Sequence, residues 1–231
     1  MTDFSKRSYK KEILDLDTTP FKDIKRTMEE LNFINTYLGG HAITLKGFKK
    51  LLQGRKEISI CEIGCGGGDN LNAINNLCKK ENIKAKFAGI DINQNCIEFA
   101  KHKNPGMEFI FSDYKQIHFG KNKPDVIFSS LFCHHFTDEE LIEMMQWMQT
   151  NSGIGFLIND LHRHPIAYYF IKLATKLFSG SYLVKNDGPL SVLRGFKKKE
   201  WQSILNKAGI INFTIQWKWA FRHLIIVKND E

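Results

Sequence analysis

The chain has 231 residues, of which 42% are hydrophobic and 25% are charged. A chain of this length and composition can bury one substantial core, so we predict a single domain over residues 1–231. The formal net charge of +8 comes from scattered lysines rather than from one basic stripe, which argues against a nucleic-acid substrate.

The cysteines and the apolar runs exclude two further classes of protein. The five cysteines are an odd number without paired C-x-x-C spacing, so neither a disulfide framework nor a metal site is predicted. The longest apolar stretch near the middle is interrupted by Lys172 and Lys176, and it falls short of the ~20 residues that a membrane span needs. We therefore expect a cytoplasmic protein without a transmembrane segment, and the sequence leaves its oligomeric state open.

Residues 1–54 are predicted to be a helical N-terminal extension. The first fifteen residues are polar, and we expect them to be poorly ordered. After Pro20, apolar residues recur every three or four positions, which predicts an amphipathic helix that ends at Gly39 and Gly40. A second, shorter helix is expected to reach Gly54.

From Glu57 onward, short apolar runs alternate with helical patterns. Thr137 and Glu140 form a capping-box pattern ahead of one of these helices. Near-continuous apolar strands that alternate with helices indicate a parallel sheet covered on both faces, so we predict an α/β, doubly wound, Rossmann-like fold. The strand-like runs are "EISICE", "KFAGID", "MEFIFSD", "DVIFSS" and "GIGFLIND".

Two segments depart from this repeat. Residues 161–196 form an insertion after the fifth strand that is too long for an ordinary loop, and we predict that it builds an acceptor pocket or a lid. Its apolar surface, interrupted by Lys172 and Lys176, is equally compatible with packing on the core or with contact to an anionic membrane. After Gly209, two strand-like runs around Ala220 predict a closing antiparallel hairpin.

The stretch "EIGCGGGDN", residues 62–70, places four glycines between the first strand and its helix. Bare backbone at this junction lets N–H groups approach a ligand at the helix start. A dinucleotide, as in an NAD(P)-binding oxidoreductase, fits poorly because Asp69 stands where the fingerprint needs a small residue. S-adenosylmethionine carries an ammonium and a sulfonium group, and Glu62 can face the ammonium side.

Two further acids follow the next strands. Asp91 ends the second strand, where a carboxylate can accept hydrogen bonds from two ribose hydroxyls. Asp113 ends the third, where it can accept from an adenine amino group while Ile92 or Tyr114 supplies apolar contact. The acids at successive strand ends favour an adenosyl ligand.

The motifs "EIGCGGGDN", "GIDIN", "FSDY" and "DVIFSSLFCHHF" resemble those of the class I S-adenosylmethionine-dependent methyltransferases. The resemblance implies the strand order 3-2-1-4-5-7-6 with the seventh strand antiparallel. It also implies S-adenosylmethionine as the cofactor and S-adenosylhomocysteine (SAH) as the product. The implied cofactor-binding residues are Glu62, Gly64, Cys65, Gly66, Asp69, Asp91, Ile92, Asp113, Tyr114 and Ser130.

A narrower resemblance concerns the methyl acceptor. The segments "GGHAITL", "NDLHRHPIAYY" and "NDGPLSVLRGF" are similar to those of bacterial small-molecule methyltransferases encoded beside type III polyketide synthases. This resemblance implies an aromatic or polyketide-like acceptor that is methylated on oxygen or, less favoured, on carbon. A quinone or lipid C-methyltransferase stays open as an alternative. So does a nucleic-acid methyltransferase, although "SSLF" stands where base-amine methyltransferases often have Asn or Asp before Pro-Pro and an aromatic.

Histidines after the fourth and fifth strands are the candidate catalytic groups. A histidine near neutral pKa can deprotonate a phenol or an activated carbon acid. We predict His134 or His162 as the base or the acceptor-orienting group, although one histidine of the pair at 134 and 135 could be a core residue instead. The predicted substrate pocket includes His135, Asp160, Arg163, Tyr169 and Arg194, with a structural salt bridge as the alternative role of the arginines.

Overall fold

The computed structural model describes residues 2–15 and 20–229 of the chain. Residues 1, 16–19 and 230–231 of the predicted domain lie outside the described residues. Seven strands form one sheet in the order 3-2-1-4-5-7-6, with the seventh antiparallel, which confirms the predicted fold. The strands are β1 Glu57–Ile63, β2 Lys84–Asp91, β3 Glu108–Phe111, β4 Val126–Ser130, β5 Gly155–Leu161, β6 Phe213–Lys218 and β7 Arg222–Lys228.

Helices cover both faces of this sheet. One core cluster packs the helices that carry Met144 and Trp201 against the sheet, and a second packs the helices that carry Phe48 and Leu71. The central strand β4 is buried along its whole length, which explains its continuous apolar sequence. The helices are α1 Phe21–Tyr37, α2 Gly40–Leu52, α3 Asp69–Lys80, α4 Gln94–Lys103, α5 Asp138–Asn151, α6 Pro165–Phe178, α7 Tyr182–Arg194 and α8 Lys198–Lys207.

Several local predictions agree with the structure. Thr137 and Glu140 form the capping box at the start of α5. The insertion folds into α6 and α7, and β6 and β7 form the antiparallel hairpin. Its turn places Ala220 and Phe221 at positive φ, a conformation that reverses the chain tightly. One boundary differs, because Gly40 begins α2 instead of ending the helical region before it.

The expectation of a poorly ordered N-terminus is wrong for residues 2–15, which pack on the body of the protein. Arg7 is buried and lies over the ring of Phe196, with 4.0 Å from its guanidinium carbon to the ring centre. Its Nη1 donates to Asp138 at 2.6 Å, and its Nη2 donates to the carbonyl of Phe136 at 2.8 Å. Polar residues of this segment, which suggested disorder, therefore form hydrogen bonds and an ion pair with residues far away in the chain.

None of the helices in the described part of the chain has the length and apolarity needed to cross a membrane.

Candidate active site

The glycine loop lies between β1 and α3, at the carboxyl edge of the sheet where strand order reverses. The backbone N–H groups of Gly64 and Cys65 both donate to the carbonyl of Ile90, at 2.8 and 3.1 Å. Gly64 has φ +65°, and a Cβ there would lie 2.2 Å from the ring of Phe132. A side chain is therefore excluded at Gly64 by both conformation and space.

Glu62 sits beneath this loop as a buried carboxyl group. Asn70 donates to its Oε1 at 3.2 Å, whereas Oε2 has no hydrogen-bond partner among the described residues. Burial raises the pKa of Glu62 well above its ordinary range, although the Asn70 hydrogen bond opposes that shift. A half-satisfied carboxyl at the loop fits a ligand that brings a cationic or donor group.

Asp91, at the end of β2, is hydrogen-bonded to the glycine loop. Its Oδ2 accepts from the N–H of Gly66 at 2.8 Å, and its Oδ1 accepts from the N–H of Asn93 at 2.9 Å. Each carboxylate oxygen can accept a second hydrogen bond, so the group keeps the capacity to bind ribose hydroxyls. Asp69 begins α3 at the other side of the loop, 3.9 Å from the Nζ of Lys103.

The residues predicted around the adenine divide into two groups. Ile92 is exposed beside Asp91, and Asp113 stands at the next strand end, where its Oδ1 accepts from the N–H of Lys115. Tyr114 is instead buried, with its ring 5.1 Å from that of Trp147. Because β3 ends before a 3-10 turn, the chain rotates and Tyr114 enters the core, so its prediction as a cofactor contact is corrected.

Cys65 and Ser130 also lie at the strand ends, but their side chains have protein neighbours. Cys65 is buried, with its sulfur turned toward Gly89 of β2. Ser130 ends β4, and its hydroxyl accepts from the side-chain amide of Asn159 at 3.4 Å. Cys65 therefore contributes to the glycine loop through its backbone, whose N–H donates to Ile90.

An apolar cavity of about 480 Å³ opens beyond the end of β4. Its walls come from α1, α6, α7 and the β6–β7 turn. Its lining also includes Leu131, which precedes Phe132 in sequence, and the ring of Phe132 packs on Gly64. The turn after β4 thus contributes Leu131 to the cavity and Phe132 to the packing on the glycine loop. A more open groove of about 710 Å³ lies between residues 2–10 and α7, and its lining includes no residue of the glycine loop.

His134 and His135 reach the cavity from the turn after β4. The Nδ1 of His134 donates to Asp160 at 2.8 Å, and its Nε2 lies 3.6 Å from Glu12. Burial alone would lower the pKa of His134, but the two carboxylates beside it raise that pKa to about 9. His134 is therefore a cation at neutral pH in this geometry and not a free general base.

His135 has a similar environment with more solvent. Its Nδ1 lies 2.7 Å from Asp15, in the geometry of an ion pair rather than of a directed hydrogen bond. Its Nε2 lies 3.9 Å from Glu12. Burial raises the pKa of Asp15, but His135, the backbone N–H of Glu12 and the charge of Arg194 together lower it to about 2. Glu12 and Asp15 thus belong to the site, although no sequence pattern beyond their charge pointed to them.

The remaining predicted residues lie outside the cavity lining. His162 accepts from the indole of Trp217 at 3.2 Å on the far side of the hairpin, and burial together with His223 lowers its pKa to about 4. Tyr169 is exposed on the outer face of α6, where its ring packs near Tyr168. The structure therefore brings His134, but not His162 or Tyr169, to the cavity.

The two predicted arginines have structural partners. Arg163 is buried and binds Glu200 through Nη2 at 2.6 Å, so it does not reach the cavity. Arg194 lies behind the histidines, where its Nε donates to the carbonyl of His134 at 3.0 Å and its Nη1 pairs with Asp15 at 3.2 Å. Of the alternatives that the sequence left open for them, a salt bridge is the one found.

Arg222 is a cavity residue that sequence reasoning missed. It begins β7 and is buried, and its Nη2 donates to Asn35 at 2.8 Å. Its Nε and Nη1 have no hydrogen-bond partner among the described residues. A buried guanidinium with two unpaired donors at the cavity wall fits an oxygen of a bound molecule.

Comparison with known proteins agrees with this geometry. Residues 60–151 match a protein family described as a methyltransferase domain. No curated protein sequence matches the chain significantly.

The fold is similar to those of solved methyltransferases. The plantazolicin methyltransferase BpumL in complex with SAH is 18% identical with a TM-score of 0.69, over 92% of each chain. Human N-acetylserotonin methyltransferase in complex with S-adenosylmethionine is 17% identical with a TM-score of 0.64, over 92% of this chain and 57% of that one. Magnesium protoporphyrin IX methyltransferase from Synechocystis PCC 6803 with bound SAH is 15% identical with a TM-score of 0.58, over 93% of this chain and all of that one.

Proposed function

We propose that this chain, a methyltransferase that uses S-adenosylmethionine, transfers the methyl group to an oxygen of an apolar small molecule of aromatic or polyketide-like character. The observation that carries this proposal is the apolar cavity beside the glycine loop, which ends on His134, His135 and Arg222. A cavity with apolar walls and a few convergent polar groups is typical of small-molecule sites.

The cofactor supplies an electrophilic methyl group on a sulfonium, and SAH remains after the transfer. On this proposal, the backbone at Gly64 and Gly66 approaches the methionine part, with Glu62 toward its ammonium. Asp91 accepts from the ribose, and Asp113 from the adenine. The protein then contributes alignment and exclusion of water, which account for much of the barrier lowering in such displacements.

The preference for an oxygen acceptor follows from the polar groups of the cavity. Arg222 lines the cavity and has no hydrogen-bond partner for its Nε and Nη1 donors among the described residues, and His134 is cationic, so on this proposal both stabilise an anionic oxygen such as a phenolate. A carbon acceptor would leave the donors on Nε and Nη1 of Arg222 buried and unpaired unless a neighbouring oxygen met them, which is unfavourable. We therefore assign His134 to acceptor orientation rather than to proton abstraction.

A lipidic or quinone-type acceptor is the second candidate. It is favoured by the exposed apolar side chains of α6 beside the cavity, including Phe170 and Leu173. Both candidates share the cavity and the cofactor, so they differ only in the acceptor that turns over.

The first experiment measures binding and turnover with Arg222→Met. We expect SAH to stabilise the wild-type protein against unfolding while NAD and NADP do not, and we expect phenolic acceptors to be methylated. Arg222→Met should raise the acceptor KM at least ~10-fold, because it removes the donors to the acceptor oxygen, and should keep the SAH affinity. Lys228→Met, at the exposed far end of β7, is the matched control.

The outcomes of this experiment are separable. Equal KM values in Arg222→Met and wild type would contradict the role of Arg222. Stabilisation by NAD or NADP without stabilisation by SAH would overturn the cofactor assignment. Turnover of quinone or lipid acceptors but of no phenol would replace the first candidate by the second.

A further inference from the structure

We propose that Glu12, His134 and His135 bind a divalent transition-metal ion, and that Zn²⁺ is the ion their donors suit best. One carboxylate oxygen and one ring nitrogen of each histidine all lie within 4.8 Å of one another. The Nε2 atoms of His134 and His135 are 3.6 and 3.9 Å from the two oxygens of Glu12. Ligands bound to tetrahedral Zn²⁺ at ~2.1 Å are roughly 3.4 Å apart. The donors are thus nearly at the separation that one shared ion imposes.

The groups behind the donors match the surroundings of metal sites. The Nδ1 of His134 donates to Asp160, and the Nδ1 of His135 faces Asp15 at 2.7 Å. Carboxylates behind metal-binding histidines fix the ring orientation and leave Nε2 for the ion. Ser191 donates to Oε1 of Glu12 at 2.8 Å, which holds that carboxylate in place.

The side chains around the histidines carry a net negative charge, which favours a divalent cation. Arg7 also lies near the histidines, but its charge is already balanced by Asp138, so this pair adds no net charge. With both histidines neutral, the described residues around them carry an excess of two negative charges, which a divalent ion offsets. The four carboxylates are Glu12, Asp15, Asp160 and Asp187, and the two guanidinium groups are Arg194 and Arg222.

The ligand set also indicates the kind of ion. Two imidazoles and one carboxylate suit Zn²⁺ and its first-row neighbours better than Mg²⁺ or Ca²⁺, which prefer oxygen donors alone. All three ligands line the apolar cavity, so the remaining coordination position faces the cavity. A hydroxyl bound there would lose its proton more readily. With the ion bound, His134 is neutral, and the charge of the ion replaces the charge of the His134 cation beside the acceptor oxygen. This use of the ion rests on the proposed function, whereas the metal site does not.

The test uses the full chain after treatment with a chelator. Titration with ZnCl₂ should give one bound ion per chain, and Co²⁺ should give the visible absorption of a tetrahedral site. Glu12→Gln and His135→Gln should each weaken Zn²⁺ binding at least ~10-fold, because each removes a ligand. His102→Gln, at an exposed position of α4, should leave binding unchanged.

Thermal unfolding and SAH affinity, measured on each variant, separate a local loss from failure to fold, and His135→Gln changes a residue that is partly exposed to solvent. Absence of stoichiometric Zn²⁺ binding, or equal affinity in wild type and both variants, would overturn the inference and leave an ion-pair cluster only. SAH binding without Zn²⁺ binding would defeat the metal site alone. Zn²⁺ binding without SAH binding would defeat the proposed function alone.

Discussion

The chemistry of a histidine is decided by the atoms around its ring, and His134 illustrates this at the scale of one residue. Burial disfavours its charged form, yet Asp160 at 2.8 Å and Glu12 at 3.6 Å favour it more strongly. In a protein without bound metal, the cation persists to pH values at which a free imidazole is neutral. A site that needs a base at this position has to remove that proton first.

We expect the stability of the chelator-treated protein to fall between neutral and alkaline pH because of His134. Its folded pKa is raised from 6.5 to about 9, so its contribution is fully present below pH 6.5 and is lost as the pH rises through 9. Unfolding free energies at pH 6 and pH 9.5 should therefore differ less in His134→Gln than in wild type. His102→Gln provides the comparison, and an imidazole signal of His134 that titrates below pH 7 would contradict the expectation.

Strand-end acids could be found from sequence because they directly follow apolar runs. Glu62 and Asp91 stand at the edge of the sheet where the spacing predicts them. Tyr114 could not be placed, because a 3-10 turn of three residues decides whether the side chain after Asp113 faces a ligand or the core. Arg222 could not be recognised either, because its unpaired donors are a property of packing and not of the residues beside it in sequence.

At the scale of elements, residues 2–15 act as a strap that joins the turn after β4 to α7. The buried side chain of Arg7 holds the strap in place. Arg7 donates to the carboxylate of Asp138 and to the carbonyls of Phe136 and Arg194. Farther along, the N–H groups of Ile13 and Leu14 donate to Asp187 at 2.9 and 3.0 Å. The strap carries Glu12 into the cavity.

We expect Arg7→Ala to release the strap from the body of the protein. Removing the buried partner of a half-exposed ion pair, together with its carbonyl contacts, should lower the unfolding free energy by about 2 kcal/mol. Limited trypsin digestion should then cut faster at Lys10 and Lys11, while SAH affinity stays unchanged because Glu62 and Asp91 belong to other elements.

Lys6→Ala, an exposed neighbour in the same strap, is the control for this experiment. A digestion rate in Arg7→Ala equal to that of Lys6→Ala would show that Arg7 does not hold the strap.

Most elements could be predicted because their signals are local. Alternation of apolar runs and helical patterns predicted the sheet, and the excess length after the fifth strand marked residues 161–196 as an insertion rather than an ordinary loop. The strap has no such period, and its contacts join residues far apart in the chain, as in the hydrogen bond from Arg7 to Arg194 across 187 positions. Polarity alone suggested disorder there, because burial of a charged side chain depends on partners that no local pattern reveals.

At the scale of the whole molecule, an apolar face and a positive net charge occur together. The outer side of α6 exposes Phe170, Leu173, Leu177 and Phe178, with Lys172 and Lys176 exposed between them. The chain as a whole carries a formal charge of +8. Apolar side chains flanked by lysines are typical of surfaces that rest on anionic lipid.

We expect the protein to sediment with vesicles that contain anionic phosphatidylserine and to do so less with neutral vesicles. Leu173→Ser combined with Leu177→Ser should reduce the bound fraction several-fold, because both apolar contacts with the acyl boundary are lost. Ile211→Ser changes an even more exposed apolar residue elsewhere and should have no effect. Equal sedimentation with anionic and neutral vesicles, or of the double variant and wild type, would exclude this use of the α6 face.

The contacts of the strap also determine the order in which parts of the fold can form during translation. The loop of Glu62 and Gly64, with the acids Asp91 and Asp113, is contained in the first half of the chain. Glu12 can form its contacts with Ser191 and Arg194 only after those residues have left the ribosome. The segment of the glycine loop is therefore synthesised early, whereas the apolar cavity is enclosed late, so that the first residues translated are among the last to take their place.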